Sequence, residues 1–413
     1  MWFSKDRKIA PTCTQVQKEA ASKEYPPVPR RCVVTGGTGF VGQRLVEMLV
    51  ERGAEKVISL DIVPPPADAW KDPAIEWRVC DVTDRAWVRE ALAGADCVWH
   101  NAAAVGPFHP KPLYERVNYE GTLNVLAACR ELGVPKLVFS SSPDTRLTGE
   151  DVDGLTEAEL PPLPLKSYLH DYAETKAMAE MAVSDACCPE LLTISVAPQN
   201  VYGPRDNLFL PNFLENAGDG RLRVFGRGEN RTCFTHVDNY CHGLIIAERA
   251  LVPRSPVLAK FYIVTDGTTH PLGNQYAVFW RELDRAVVGV GFRSIYAKYH
   301  LPVWFLYILA VISEFVDFLL RTTFKLNRFN LRVLTIHRWF NIKAAENDLP
   351  YEPIIPYDLG WKDTIAWYKD KWLPKYQKPS TIFKTIAHQS QAKIDIQKAS
   401  RRKKDSTAAT TAR

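Results

Sequence analysis

The sequence predicts an α/β chain, a doubly wound parallel sheet followed by a smaller C-terminal region, and three observations carry that prediction. Short apolar runs alternate with longer helical stretches through the first half of the chain. A glycine-rich turn joins the first run to the first helical stretch, and an acidic residue closes the second run. With 413 residues, 46% of them apolar, the chain can bury a sizeable core, which excludes a disordered or collagen-like protein.

Residues 1–29 mix charge, Ser/Thr and the stretch Pro26-Pro27-Val28-Pro29, and are expected to be peripheral. The pattern then predicts strands at 31–36, 56–61, 75–80, 96–100, 136–141 and 191–196, with helices at 39–52, 84–93, 111–132 and 167–187. Together these make a nucleotide-binding unit over 30–205. After Gly203-Pro204-Arg205 the rhythm loosens. Helices are predicted at 237–249, 273–288 and 357–372, with an apolar segment at 301–320, and the whole of 206–374 reads as a substrate-binding region. The tail 375–413 carries ten Lys/Arg against two Asp and is expected to be disordered. The remaining body is slightly acidic, which argues against a nucleic-acid partner. Nine cysteines without a CxxC pair argue against a disulfide framework or a zinc site, so reduced thiols facing the cytosol and no metal are expected. The first residues lack the apolar core of a signal peptide.

Thr35-Gly36-Gly37-Thr38-Gly39-Phe40-Val41-Gly42 sits between the first strand and the first helix, where free backbone N–H groups and the helix dipole can take a pyrophosphate. Its spacing, Gly36, Gly39, Gly42, departs from the usual GxGxxG form, and such a turn also serves tight packing alone. Asp61 ends the second strand, 19 residues after Gly42, where a carboxylate can accept both hydroxyls of an adenosine ribose. A 2′-phosphate would be repelled there, which favours NAD over NADP. Asp81 follows the third strand, where an adenine amine would sit, and Ala102 and Ala103 after the fourth let a cofactor lie across the strand ends.

Tyr172 and Lys176 are four apart, on one helical face. A phenol titrates near pH 10; a neighbouring ammonium and a cationic nicotinamide ring favour the phenolate, and the lysine can also bond the nicotinamide ribose. Ser140-Ser141-Ser142 ends the fifth strand at the carboxyl edge, where open α/β sheets bind ligands. Ser142 is the expected hydroxyl for the substrate oxygen, with Ser141 second. Asn118 either interrupts a helix and binds water behind the lysine or serves packing alone.

This succession, with Val201–Asp206 and Phe234–Asn239 after it, resembles an extended short-chain dehydrogenase/reductase of Rossmann type. The apolar stretch followed by Val333–Ile342 and Leu349–Pro353 resembles the 3β-hydroxysteroid dehydrogenase/isomerase family, and within it the sterol-4α-carboxylate 3-dehydrogenase (decarboxylating) branch, over 30–374. The resemblance implies NAD-dependent oxidation of a sterol or steroid 3β-hydroxyl, with decarboxylation of a 4α-carboxysterol. It implies Tyr172 as acid/base, Lys176 as its pKa partner and ribose ligand, and Ser142 as hydroxyl-binding residue, and it adds Phe40, Val41, Val82 and Pro198 to the cofactor positions. Two departures concern the substrate wall: Val196-Ala197-Pro198 replaces the usual Leu-Arg-Pro, and Pro143-Asp144 follows the serine run where small or apolar residues are usual. The alternatives are a 3β-hydroxy-Δ5-steroid dehydrogenase/isomerase, a nucleotide-sugar epimerase or dehydratase on the same scaffold, and an NAD-binding membrane-associated protein without catalysis.

The 301–320 segment has the length to span a bilayer, but Glu314 and Asp317 fall within it, and charges near a helix centre cost about 2.5–3.5 kcal/mol each. Family motifs on both flanks belong to one catalytic fold, so a helix lying in one leaflet on the cytosolic face of the endoplasmic reticulum is the expectation. A spanning helix and a buried or homodimer-interface helix are the alternatives.

Overall fold

The computed structural model of the chain describes residues 8–106, 109–270, 273, 275–320 and 326–378. Seven parallel strands form the central sheet: β1 (Arg31–Thr35), β2 (Lys56–Asp61), β3 (Ile75–Val79), β4 (Cys97–His100), β5 (Lys136–Ser140), β6 (Leu192–Pro198) and β7 (Phe261–Val264). Their spatial order is β7-β6-β5-β4-β1-β2-β3. The chain moves outward from β1 to β3 and then returns to the other side of β1, so β1 and β4 flank the switch point where such sheets bind ligands. Alternate side chains feed two cores. Cys32, Val34, Trp99 and Val138 pack into one layer, and Val33, Val98 and Leu137 into the other. Burial on both faces explains the unbroken apolar runs read in the sequence.

Helices cover both faces. After α1 (Gln15–Ala21) come α2 (Phe40–Glu51), α3 (Arg85–Leu92), α4 (Gly121–Leu132), α5 (Asp171–Asp185) and α6 (Val237–Ala250). Local chemistry sets their ends: Asp84 caps α3 by accepting from the Ala86 and Trp87 N–H groups, and α4 stops at Gly133, whose φ of 68° is left-handed. The helix predicted at 167–187 begins only at Asp171, where the His170 ring accepts the Ala173 N–H.

The C-terminal region is built on α7 (Phe279–Val290), α8 (Val303–Leu320), α9 (Arg328–Val333) and α10 (Tyr357–Trp367), around an aromatic core of Tyr202, Phe234, Trp280 and Trp361. A small sheet of Val152–Leu155, Arg231–Thr232, Ala277–Val278 and Arg338–Phe340 borders it. These short strands, and β7, are absent from the sequence reading. The helix expected at 273–288 runs over Phe279–Val290 instead.

Residues 8–29 of the N-terminal segment, expected to be peripheral, pack against the body at several points. Ala10, Cys13, Gln17 and Ala20 are buried, because the segment closes an ionic network that would otherwise face water. Arg44 of α2 pairs with Glu51 and Asp238, each at 2.9 Å, and Arg205 pairs with Glu47 at 2.6 Å. The Ala10 N–H and the Gln17 amide then donate to Glu51 and Asp238. Buried charges need this full set of partners. All nine cysteines are free thiols. The tail beyond residue 378 and the side chain of Asp317 lie outside the described residues.

Candidate active site

One cavity runs along the carboxyl ends of the strands. Its walls include Gly36, Gly39, Phe40, Val41, Asp61, Asp81, Val82, Ala102, Ala103, Ser141, Ser142, Tyr172, Lys176 and Pro198, so every residue singled out for cofactor or substrate except Gly42 stands on it. Gly42 serves packing instead. A Cβ there would lie 2.1 Å from the Gly36 carbonyl oxygen, so the helix can approach the turn only as glycine. Gly36 itself has φ of 69° and faces the Ala102 backbone, where a Cβ would come within 2.9 Å.

The α2 N-terminus opens on this cavity. Gly39 at its N-cap offers no side-chain acceptor, which leaves the first-turn N–H groups for an anion. Asp61 is already engaged with that turn, because one carboxylate oxygen accepts from the Thr38 N–H at 3.1 Å and the Thr38 hydroxyl at 2.6 Å. The other accepts from the Ile62 N–H. The carboxylate therefore clamps the glycine turn as well as facing the adenosine end.

The loop after β4 is fixed from two sides. The Thr35 hydroxyl accepts the Asn101 and Ala102 N–H groups. Burial drops the His100 imidazole to about 3, so it stays neutral between Thr35 and Thr122. Asn118 lies in a π-helical turn, Glu115–Glu120, and its amide exchanges hydrogen bonds with Ala104 and donates to Thr175. It ties the loop to α5, a role in positioning that the sequence reading left between water binding and packing.

The three serines have separate tasks. Ser140 shares a hydrogen bond with the Tyr240 hydroxyl at 2.7 Å, and its carbonyl accepts the Lys176 ammonium at 2.6 Å. The buried Ser141 donates to Glu180 at 2.5 Å. Ser142 meets the Tyr172 hydroxyl and caps the turn at Pro143 by accepting the Asp144 N–H. This favours Ser142 over Ser141 as the free hydroxyl beside Tyr172.

Tyr172 is held by its ring, stacked on His170 at 5.6 Å and edge-on to Tyr114 at 6.2 Å. Burial and the Asp144 carboxylate push its phenol up, and the Ser142 hydrogen bond opposes them. The Lys176 ammonium lies over the Phe139 ring, 4.0 Å from its centroid, and bonds the Ser140 carbonyl. Burial brings Lys176 down to about 7. Sequence reading missed Tyr240, His109 and His170, and noted Asp144 only as a departure in the substrate wall. Asp144 lies 4.0 Å from the His170 ring and 3.8 Å from Arg338. Its departure from the family pattern was visible, but its neighbours were not.

The pattern of the 3-beta hydroxysteroid dehydrogenase/isomerase family matches residues 33–289. The human sterol-4-alpha-carboxylate 3-dehydrogenase, decarboxylating, is 32% identical over 82% of this chain and 88% of its own length. The Arabidopsis thaliana 3beta-hydroxysteroid-dehydrogenase/decarboxylase isoform 1 is 30% identical over 89% of this chain and 86% of its own. Among solved structures, a dTDP-glucose 4,6-dehydratase (DesIV) double mutant from Streptomyces venezuelae, with NAD and DAU bound, superposes with a TM-score of 0.63. It is 20% identical, covering 83% of this chain and 97% of its own, and so speaks to the fold alone.

Proposed function

Since the chain belongs to the 3-beta hydroxysteroid dehydrogenase/isomerase family, we propose that it oxidises the 3β-hydroxyl of a 4α-carboxysterol with NAD and releases the 4-carboxyl group as carbon dioxide. The observation that carries this reading is Tyr172 meeting the Ser142 hydroxyl on the wall of a cavity that extends to the glycine turn and Asp61. That cavity fits a dinucleotide: an uncapped helix N-terminus for the pyrophosphate, Asp61 for the adenosine ribose, Asp81 and Val82 for the adenine, and Lys176 for the second ribose. NAD, when bound, supplies the hydride acceptor and the positive charge of the nicotinamide ring.

Tyr172 takes the proton of the 3-hydroxyl, and Ser142 holds the oxygen against it. Burial and the Asp144 carboxylate raise the phenol, so the positive charge that favours the phenolate would come from the cofactor ring together with Lys176. Oxidation turns a 4-carboxylate into a β-keto acid. Its carbon dioxide leaves because the electrons of the breaking C–C bond pass onto the C3 oxygen, where the Tyr172 and Ser142 hydroxyls can donate. The test is a substrate panel followed by NADH formation: a 4α-carboxysterol, a Δ5-3β-hydroxysteroid and a UDP-sugar. Turnover of the first is expected, and turnover of the UDP-sugar alone would overturn the reading.

Asp61→Ala is expected to weaken NAD binding about tenfold or more, since hydrogen bonds to a charged group are worth about 1.5–3 kcal/mol. It should also narrow the preference over NADP, because the repulsion of a 2′-phosphate goes with the carboxylate. Dissociation constants for the two cofactors check both, and a wild type that prefers NADP would contradict the assignment.

Helix α8 is read as the attachment to a membrane. Trp304, Phe305, Tyr307, Ile308, Val311, Ile312 and Phe315 are all exposed along it, Trp304 by 68% and Phe315 by 62%. No helix among the described residues is long and apolar enough to cross a membrane, so α8 lies in one leaflet in this reading. Free thiols throughout suit its cytosolic face. Glu314 of α8 pairs with Arg328 at the start of α9, and Phe329 packs 4.4 Å from His170, which stacks on Tyr172. A sterol leaving the leaflet beside α8 thus arrives next to the active site. Changing Ile308 and Ile312 to lysine should release the protein from sedimented phospholipid vesicles, leaving turnover of detergent-dissolved sterol within about twofold, as exposed sites usually permit. Unchanged sedimentation would contradict the attachment. A wild-type dimer that dissociates in this variant would assign the face to a second copy instead.

A further inference from the structure

A 4α-carboxylate sits on the carbon next to the one being oxidised, so the cavity must meet an anion close to Tyr172 and Ser142. An ionised carboxylate taken out of water without a partner costs several kcal/mol. Among the described residues lining the cavity, the other groups that carry charge do not answer it. Asp61 and Asp81 have the wrong sign, and Lys176 gives its ammonium to the Ser140 carbonyl. Arg338 lies 3.8 Å from Asp144, which answers its charge, and it does not line the cavity.

His109 remains. It lines the cavity with Leu113 and Val117, at the end of the loop that follows β4. Its backbone N–H donates to the Tyr114 hydroxyl at 3.1 Å, and its ring stands edge-on to Tyr114 at 5.5 Å. Tyr114 is fully buried and abuts Tyr172, so one rigid ring sets the spacing between imidazole and phenol. No hydrogen bond among the described residues engages the His109 ring nitrogens. Resting on the functional reading above, we infer that His109 holds the substrate's 4-carboxylate and selects carboxylated sterols over those that lack it. Partial burial keeps the imidazole below its usual pKa, so it meets the carboxylate first as a neutral N–H donor. Loss of carbon dioxide removes the anion that His109 held, which loosens the product.

The test compares the wild type with His109→Leu and His109→Gln on a 4α-carboxysterol and on the same 3β-hydroxysterol without the carboxyl group, the latter as substrate or as competitive inhibitor. His109→Leu should raise KM for the carboxylated sterol about tenfold or more, the loss of a charge-assisted hydrogen bond, with a smaller change in kcat. The constant for the uncarboxylated sterol should stay within about twofold, the range of an ordinary non-contacting change. His109→Gln, which keeps a donor, should fall between, and unchanged NAD affinity in both variants reports an intact fold. Equal effects on the two sterols, or none on either, would overturn the role of His109 while the function stands. A wild type that turns over only the uncarboxylated sterol would remove the functional reading and the anion site together.

Discussion

Tyr172→Phe is expected to lower turnover by about 10²–10⁴-fold, the contribution of a positioned acid/base, while NAD affinity changes little. The separation follows from how the residue is held. Its ring is fixed by stacking on His170 and by the edge of Tyr114, contacts that phenylalanine keeps. Only the hydroxyl, which lies beside Ser142, is lost. A fluorescence titration with NAD and a steady-state assay on the same preparation measure the two halves. Near-wild-type turnover would remove Tyr172 from the chemistry, whereas lost NAD binding would show that its hydroxyl also builds the cofactor site.

Lys176→Met should damage both halves. The methionine stem fills much of the same space, but the Ser140 carbonyl loses its 2.6 Å donor and the Phe139 face loses its cation. Turnover is expected to fall by about 10²–10⁴-fold and NAD affinity by about tenfold or more, since the variant also lacks the charged donor to the nicotinamide ribose, a hydrogen bond worth about 1.5–3 kcal/mol. The contrast between the two variants is the informative quantity. If Lys176→Met bound NAD as well as Tyr172→Phe does, the lysine would have no part in holding the ribose.

The parts legible in the sequence are those where one local rule governs. Strands β1, β2 and β4 to β6 are buried on both faces and read as apolar runs, and Gly36 sits where only a residue tolerant of positive φ can stand. The small sheet was not legible, because Arg231–Thr232 and Ala277–Val278 are two residues each and carry no period. The packing of residues 8–29 was not legible for a related reason. Gln17 and Cys13 are buried by partners on α2 and α6, and polar contacts across such separations leave no trace in local pattern. The same holds for the surroundings of Tyr172: Asp144 and Arg338 come from distant segments and meet only once the small sheet folds against the serine turn. Lys176 marks the boundary between the two cases. Its spacing from Tyr172 was plain, but that its ammonium would turn to the Ser140 carbonyl depends on the depth of the pocket.

In the proposed function, oxidation at C3 and loss of the C4 carboxyl are one sequence of events run from Tyr172. A 4α-carboxysterol labelled at the carboxyl carbon, incubated with the purified protein and NAD, tests that directly by counting labelled carbon dioxide against NADH. Equal amounts are expected, with neither formed by Tyr172→Phe nor in the absence of NAD. NADH without carbon dioxide, or carbon dioxide released without NAD, would contradict it.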